Sequence, residues 1–242
     1  MGMAEVVPGV SGGTIAFITG IYERLINCIK SFGPKAIAGW KREGLKGFWR
    51  AIDGSFLFAL LTGMAAGVVI GVFGVTHLLE NQPLLLWSFF FGLIIASAIY
   101  VGRQVKGWSW QEVLALLIAV LAAWWITIAS PAEGSRALWF VFFSGAIAIC
   151  ALILPGISGS FILLLLGMYT YIIPLIKETL KSLDPAGLTV ILVFALGCLL
   201  GLVTFSRVLS WLFRRFHNLT MATLTGFMMG SLNKIWPWRR PD

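Results

Sequence analysis

The chain has 242 residues, of which 59% are hydrophobic and only 12% charged, with a mean hydropathy of +0.92 and a net charge of +8. A soluble domain carries about a quarter of charged residues, so composition excludes a water-soluble globule and indicates an integral membrane protein. The cations sit at the ends of apolar segments, which assigns them to topology and anionic membrane lipids and argues against nucleic acid.

About 20 apolar residues are needed to span the hydrocarbon core. Residues 4–31 are an apolar segment broken at Pro8-Gly9-Val10-Ser11-Gly12-Gly13-Thr14. Glu5 and Pro8 interrupt the only stretch that resembles a signal peptide, so none is expected. Residues 33–50 form a basic connector, with Lys35, Lys41, Arg42, Lys46 and Arg50 interleaved with Trp40, Phe48 and Trp49. That pattern predicts an amphipathic helix on a membrane surface, and equally an ordinary positively charged loop. A span is predicted at 55–79, with Gly63, Gly67, Gly71 and Gly74 allowing close helix approach. Another covers 84–102 and stops at Arg103 and Lys106. A linking span is predicted at 111–129, after Trp108 and Trp110. Residues 138–176 hold the second broken segment, and spans at 187–213 and 219–236 follow. Cys28, Cys150 and Cys198 lack metal or redox spacing and read as small apolar residues, and no cofactor is implied.

The first break returns as Pro155-Gly156-Ile157-Ser158-Gly159-Ser160-Phe161, 147 positions on. At that offset Gly20 meets Gly167, Tyr22 meets Tyr169 and Lys30 meets Lys177. At an offset of 134, Gly63 and Gly67 meet Gly197 and Gly201, and Gly92 meets Gly226. The predicted organisation is one transmembrane domain over 1–242, with repeat 1 at 1–106, the linking span 111–129 and repeat 2 at 137–238. If each broken segment is a re-entrant hairpin, the units are inverted. Lys30, Lys35, Lys41, Arg42, Lys46, Arg50, Arg103, Lys106, Arg207, Arg214 and Arg215 then share one face, eleven cations, against five (Arg136, Lys177, Lys181, Arg239, Arg240) on the other. The richer face is assigned to the cytoplasm. Fully crossing segments would also invert the units but would separate Lys30–Arg50 from Arg103 and Lys106. The predicted fold class is thus an all-α polytopic membrane protein with an inverted-topology repeat. Each unit is a re-entrant broken hairpin plus two transmembrane helices, and one linking span joins the units.

Proline and glycine free backbone groups that lipid cannot satisfy. Paired breaks at matching places in two halves point to a transporter's substrate site. Ser11 and Ser158 are suited to cap the following helices, and Thr14 falls in a first turn. Gly12, Gly13, Gly159 and Ser160 complete the candidate anion-binding set, because a helix start offers free N–H groups and a positive dipole end. The competing reading is that glycine and proline only permit a kink or tight packing.

Glu5-Val6-Val7-Pro8-Gly9-Val10-Ser11-Gly12-Gly13-Thr14, with Gly20-Ile21-Tyr22, resembles the signature of the bacterial polyprenyl-phosphate transporter family. Leu154-Pro155-Gly156-Ile157-Ser158-Gly159-Ser160, with Gly167-Met168-Tyr169, resembles its second signature. The resemblance covers the whole chain. It implies a translocase in the bacterial cytoplasmic membrane that recycles undecaprenyl phosphate, the carrier lipid of cell-wall synthesis. Members carry more residues ahead of the first signature than the seven before Pro8.

Among charged residues, Arg24 is a candidate phosphate partner, with an ion pair or a helix-end anchor as its alternative. Glu5, an ionisable residue beside the first break, is a candidate for carrying a coupling proton or pairing with a cation, with a place at the membrane edge as its alternative, and it has no acidic counterpart in the second copy. Arg103, Arg207, Lys177 and Lys234 lie near helix ends, where cations snorkel. Ser231 and Asn233 either line a path or bond across helices. Competing functions are a transporter of a small soluble anion and an enzyme acting on lipid phosphate. The second is disfavoured because only His77 and His217 are present and no motif pairs two carboxylates. Oligomeric state and driving force are left open.

Overall fold

The computed structural model describes residues 1–5, 10–182 and 184–238, apart from the side chains of Thr76, Leu79, Leu180 and Lys181. Pro8 and Gly9 of the first motif lie outside the described residues, as do Arg239 and Arg240 of the charge count. The described residues form twelve helices and no strands.

Four helices are long and apolar enough to cross a bilayer: α5 (Gly54–Asn81, apolar over Gly54–Val75), α6 (Pro83–Gly102), α7 (Trp110–Ile128) and α11 (Pro185–Arg215). Their faces carry exposed Phe73, Phe89, Leu121 and Leu192, as expected where lipid is the solvent. Proline stands in the first turn of α6 and α11, where its missing N–H costs nothing. Ser109 and Glu112 form a capping box at the start of α7.

The last predicted span is corrected. α12 (His217–Ser231) has fifteen residues, about 22 Å at 1.5 Å per residue, and turns follow it. It is wrapped by protein rather than lipid, with nine of its residues buried. Gly226 and Gly230 let it lie directly on the backbone of α7. Thr220, Thr223 and Thr225 donate to carbonyls of their own helix, so its polarity is internally satisfied.

Short helices surround the two breaks. α1 (Gly2–Glu5), α2 (Gly12–Ile18) and α3 (Tyr22–Ser31) hold the first, with Gly20 turning the chain at φ 72°. α8 (Leu138–Ile153), α9 (Gly159–Leu165) and α10 (Tyr169–Ser182) hold the second, with Gly156 at φ 85° and Gly167 at φ 66°. α9 and α10 meet at 107°. The Ala132 N–H donates to the Leu165 carbonyl at 2.7 Å, which brings the end of α9 back to the loop that precedes α8.

The connector α4 (Pro34–Ala51) is two helical pieces rather than one. Gly44 (φ 62°, ψ −142°) interrupts it, and the backbones of Gly39 and Gly47 come into contact. A side chain at either glycine would prevent that approach.

Each long helix after a break receives the helix before it on a glycine. Gly67 of α5 meets Gly2 and Met3 of α1, and Gly201 of α11 meets Ala146 of α8. A Cβ on Gly145 would stand 2.7 Å from the Phe194 carbonyl, whereas a Cβ on Gly63 meets nothing within 4 Å. Gly145→Leu is therefore expected to destabilise the protein by about 1–3 kcal/mol, as overpacking does. Gly63→Leu is expected to be near neutral, and thermal unfolding of both variants in detergent checks the contrast.

Candidate functional site

The two breaks meet. Ser11 Oγ donates to the Leu154 carbonyl at 3.2 Å, and the Gly156 N–H donates to Thr14 Oγ1 at 3.1 Å. Tyr22 Oη donates to the Ile153 carbonyl at 3.1 Å. These bonds join the starts of α2 and α3 to the C-terminal end of α8, across more than 130 residues of sequence. The carbonyls that α8 leaves unpaired at its end find donors in the other half of the molecule. Gly13 makes the approach possible, since a Cβ there would stand 2.6 Å from the Ile153 carbonyl. Ser11 and Thr14 are buried at this contact, and Phe17, Tyr22 and Phe213 pack edge and tilt around it.

The two copies differ in what they leave open. In the first, Ser11 caps α2 by accepting from the Gly13 N–H at 3.1 Å. Glu5 Oε1 accepts from the Gly12 N–H at 2.8 Å, so a carboxylate occupies the place an anion would take. In the second, Ser158 stands at the N-cap position without capping α9. Its hydroxyl is instead 2.9 Å from the Ser160 hydroxyl. Ser158 is half-buried and Ser160 exposed, while Gly159 is packed against the Ala148 carbonyl at a Cβ distance of 2.6 Å.

A small cavity opens at the second break, lined by Gly156, Ile157, Ser158, Phe161, Thr127, Ser231 and Lys234 among others. Lys234 Nζ lies 4.3 Å from the centre of the Phe161 ring, a cation–π contact. Asn233 reaches across to Thr127 Oγ1 at 3.2 Å, and Ser231 donates to the Met228 carbonyl. Gly156 belongs both to this cavity and to the Thr14 contact.

Arg24 is not brought to either break. Its Nε is 2.7 Å from Asp53 Oδ2, and its guanidinium lies 4.4 Å from the Phe56 ring centre. The hydrogen bond from Arg24 holds the Asp53 carboxyl below the usual carboxylate range. A depressed carboxyl contributes above its unfolded pKa and is lost as pH falls through its folded one, so this exposed pair persists at every physiological pH.

The sequence gives Lys234 little weight, and it marks Tyr22 only as part of the repeat and signature and Thr127 not at all. Lys234 sits just past a helix end, which is where snorkelling cations are found, and only the fold places it over Phe161. Tyr22 carries a signal, its match to Tyr169 at the offset of the two breaks.

A family model described as undecaprenyl phosphate translocase-like matches residues 1–242. A polyprenyl-phosphate transporter of Vibrio cholerae serotype O1 is 46% identical over 239 residues, covering 99% of this chain and 75% of that protein. A polyprenyl-phosphate transporter of Staphylococcus aureus is 29% identical over 251 residues, covering 98% of this chain and 83% of that protein. No solved structure matches. With its whole length matched and both breaks in direct contact, the chain belongs to the undecaprenyl phosphate translocase-like family.

Proposed function

We propose that this protein carries polyprenyl phosphate, undecaprenyl phosphate in the first instance, across the bacterial cytoplasmic membrane for reuse of the carrier lipid. The observation that carries the reading is the meeting of the two breaks at Ser11, Thr14, Leu154 and Gly156. Two interrupted segments converging on one layer are what alternating access around a shared site requires. The return of α9 to the loop before α8 supports a re-entrant second hairpin. The matched glycine seats of α1 on α5 and α8 on α11 support an inverted repeat. The names of the relatives favour transport over phosphoryl chemistry.

The phosphate is assigned to the second break. There Ser158 and Lys234 border the cavity and Ser160 stands beside Ser158, whereas at the first break Glu5 and Ser11 already accept from the Gly12 and Gly13 N–H groups. Glu5 is the coupling candidate. Protonation would weaken its acceptance from Gly12 and free that N–H for the substrate when the layer rearranges. Arg24 would meet a head group only at the rim, after its pair with Asp53 opens.

The decisive experiment is leaflet exchange of labelled undecaprenyl phosphate in vesicles holding the full chain. Ser158→Leu and Lys234→Gln are each expected to lower exchange at least about tenfold, the loss of one charge-assisted contact of 1.5–3 kcal/mol. Arg24→Gln is expected to change it little. Unaltered exchange in the Ser158→Leu, Lys234→Gln double variant would overturn the site. Uptake of labelled inorganic phosphate without lipid exchange would establish the soluble-anion reading instead.

Glu5→Gln is expected to remove any response of exchange to an imposed pH gradient while leaving a basal rate. A retained response excludes Glu5 from coupling. Thr14→Val leaves the buried Gly156 N–H unpaired and is expected to cost about 1–3 kcal/mol of stability, read as a lower unfolding temperature.

A further inference from the structure

Lys234 borders the cavity at the second break, and the fold fixes its backbone on both sides. Its N–H donates to the Ser231 carbonyl at 2.9 Å in the turn after α12. The neighbouring Asn233 donates to Thr127 Oγ1 of α7 at 3.2 Å. Ile235 is buried, and the Trp236 ring packs edge-on against Phe91 of α6, with ring centres 5.3 Å apart. The remaining freedom is in the side chain, a flexible stem that swings its ammonium through a wide arc. Ordering such a stem is among the costlier losses of rotamer freedom. Here the stem ends on α9, where Nζ lies 4.3 Å from the centre of the Phe161 ring.

Phe161 is placed for that contact rather than for the core. It stands in the first turn of α9 and lines the cavity with Ser158 and Lys234. It belongs to neither of the two buried apolar clusters, whereas Leu163 of the same helix lies in the one that α8, α9 and α10 share. Its counterpart in the first copy, Thr14, is buried and accepts from the Gly156 N–H. A threonine has no face to offer a cation. The first copy thus uses this position to bond the two breaks together, and the second uses it to hold an ammonium. An aromatic face attracts a cation through its quadrupole without cancelling its charge. An ammonium held in this way still serves an arriving anion, and it is already ordered when the anion arrives.

We propose that Phe161 is a positioning residue, whose ring holds the Lys234 ammonium at the second break for the phosphate of the transported lipid. This role rests on the assignment of the phosphate to that break. Phe161 acts through Lys234 and supplies no contact to the phosphate itself.

The test is leaflet exchange of labelled undecaprenyl phosphate in vesicles holding the full chain, followed against the lipid fraction so that half-saturation and maximal rate separate. Phe161→Leu is expected to raise the half-saturating fraction about fivefold, in keeping with a partly desolvated cation–π contact, and to change the maximal rate little. Phe161→Tyr is expected to match the unaltered protein. Phe161→trifluorophenylalanine keeps the shape of the ring and weakens its attraction for cations. It is expected to act as leucine does, and it replaces Phe161→Leu should that variant not fold. In the Lys234→Gln background, loss of the ring is expected to add nothing. Half-saturation unmoved by fluorination, or an equal further loss in the Lys234→Gln background, would reduce Phe161 to packing and overturn its positioning role while Lys234 keeps its place. Unaltered exchange in Lys234→Gln alone would instead remove the phosphate from the second break.

Discussion

A backbone group freed inside hydrocarbon has no water to turn to, and each broken helix here would leave several such groups exposed. The molecule resolves this by having each break satisfy the other. The end of α8 offers the Ile153 and Leu154 carbonyls and the Gly156 N–H, and the other half of the chain supplies Tyr22, Ser11 and Thr14. The surrounding packing follows from holding those ends in register. Gly13 removes the side chain that would keep α2 from the Ile153 carbonyl, and the Phe17, Tyr22 and Phe213 rings fill the space beside it.

The same contact accounts for the differences between two otherwise matching motifs. Thr14 in the first copy bonds Gly156, and its counterpart Phe161 carries the Lys234 ammonium. Glu5 covers the Gly12 N–H, and the second copy has no acidic residue at that place. In the first copy, side chains of that copy therefore take the Gly12 and Gly13 N–H groups, and the second borders a cavity with a cation beside it. The divergence at Thr14, Phe161 and Glu5 is what assigns them different work under the proposed function.

The helical, membrane-spanning character was legible because apolar runs of twenty residues have few alternatives. The breaks were legible because Pro155, Gly156 and the glycines of the first copy are conspicuous in apolar surroundings. The shortness of α12 was hidden, since hydropathy records an apolar run without saying whether lipid or protein covers it. Gly226 and Gly230 were visible as small residues, but their seat on α7 depends on the fold. The fold-back at Gly44 was hidden among basic residues that suit one amphipathic helix as well as two. Arg24 and Asp53 are 29 positions apart and share no periodic relation, so their pairing could not be read from spacing. The closing of one break on the other spans 142 positions from Thr14 to Gly156 and was legible only as a repeat, not as a contact.

That separation has a consequence for how the protein is made. Ser11 and Thr14 enter the membrane early, and the groups they bond emerge only with residues 154 and 156. At roughly 5–20 residues per second, synthesis takes on the order of ten seconds to close that gap. During the interval the first broken segment can pack on α5 and α6 but lacks the groups that Ser11, Thr14 and Tyr22 bond. Glu5 on Gly12 supplies a bond that the segment can form alone. Completion of the first break is thus tied to the arrival of α8, and a chain stopped before residue 153 lacks the carbonyls to which Ser11 and Tyr22 donate.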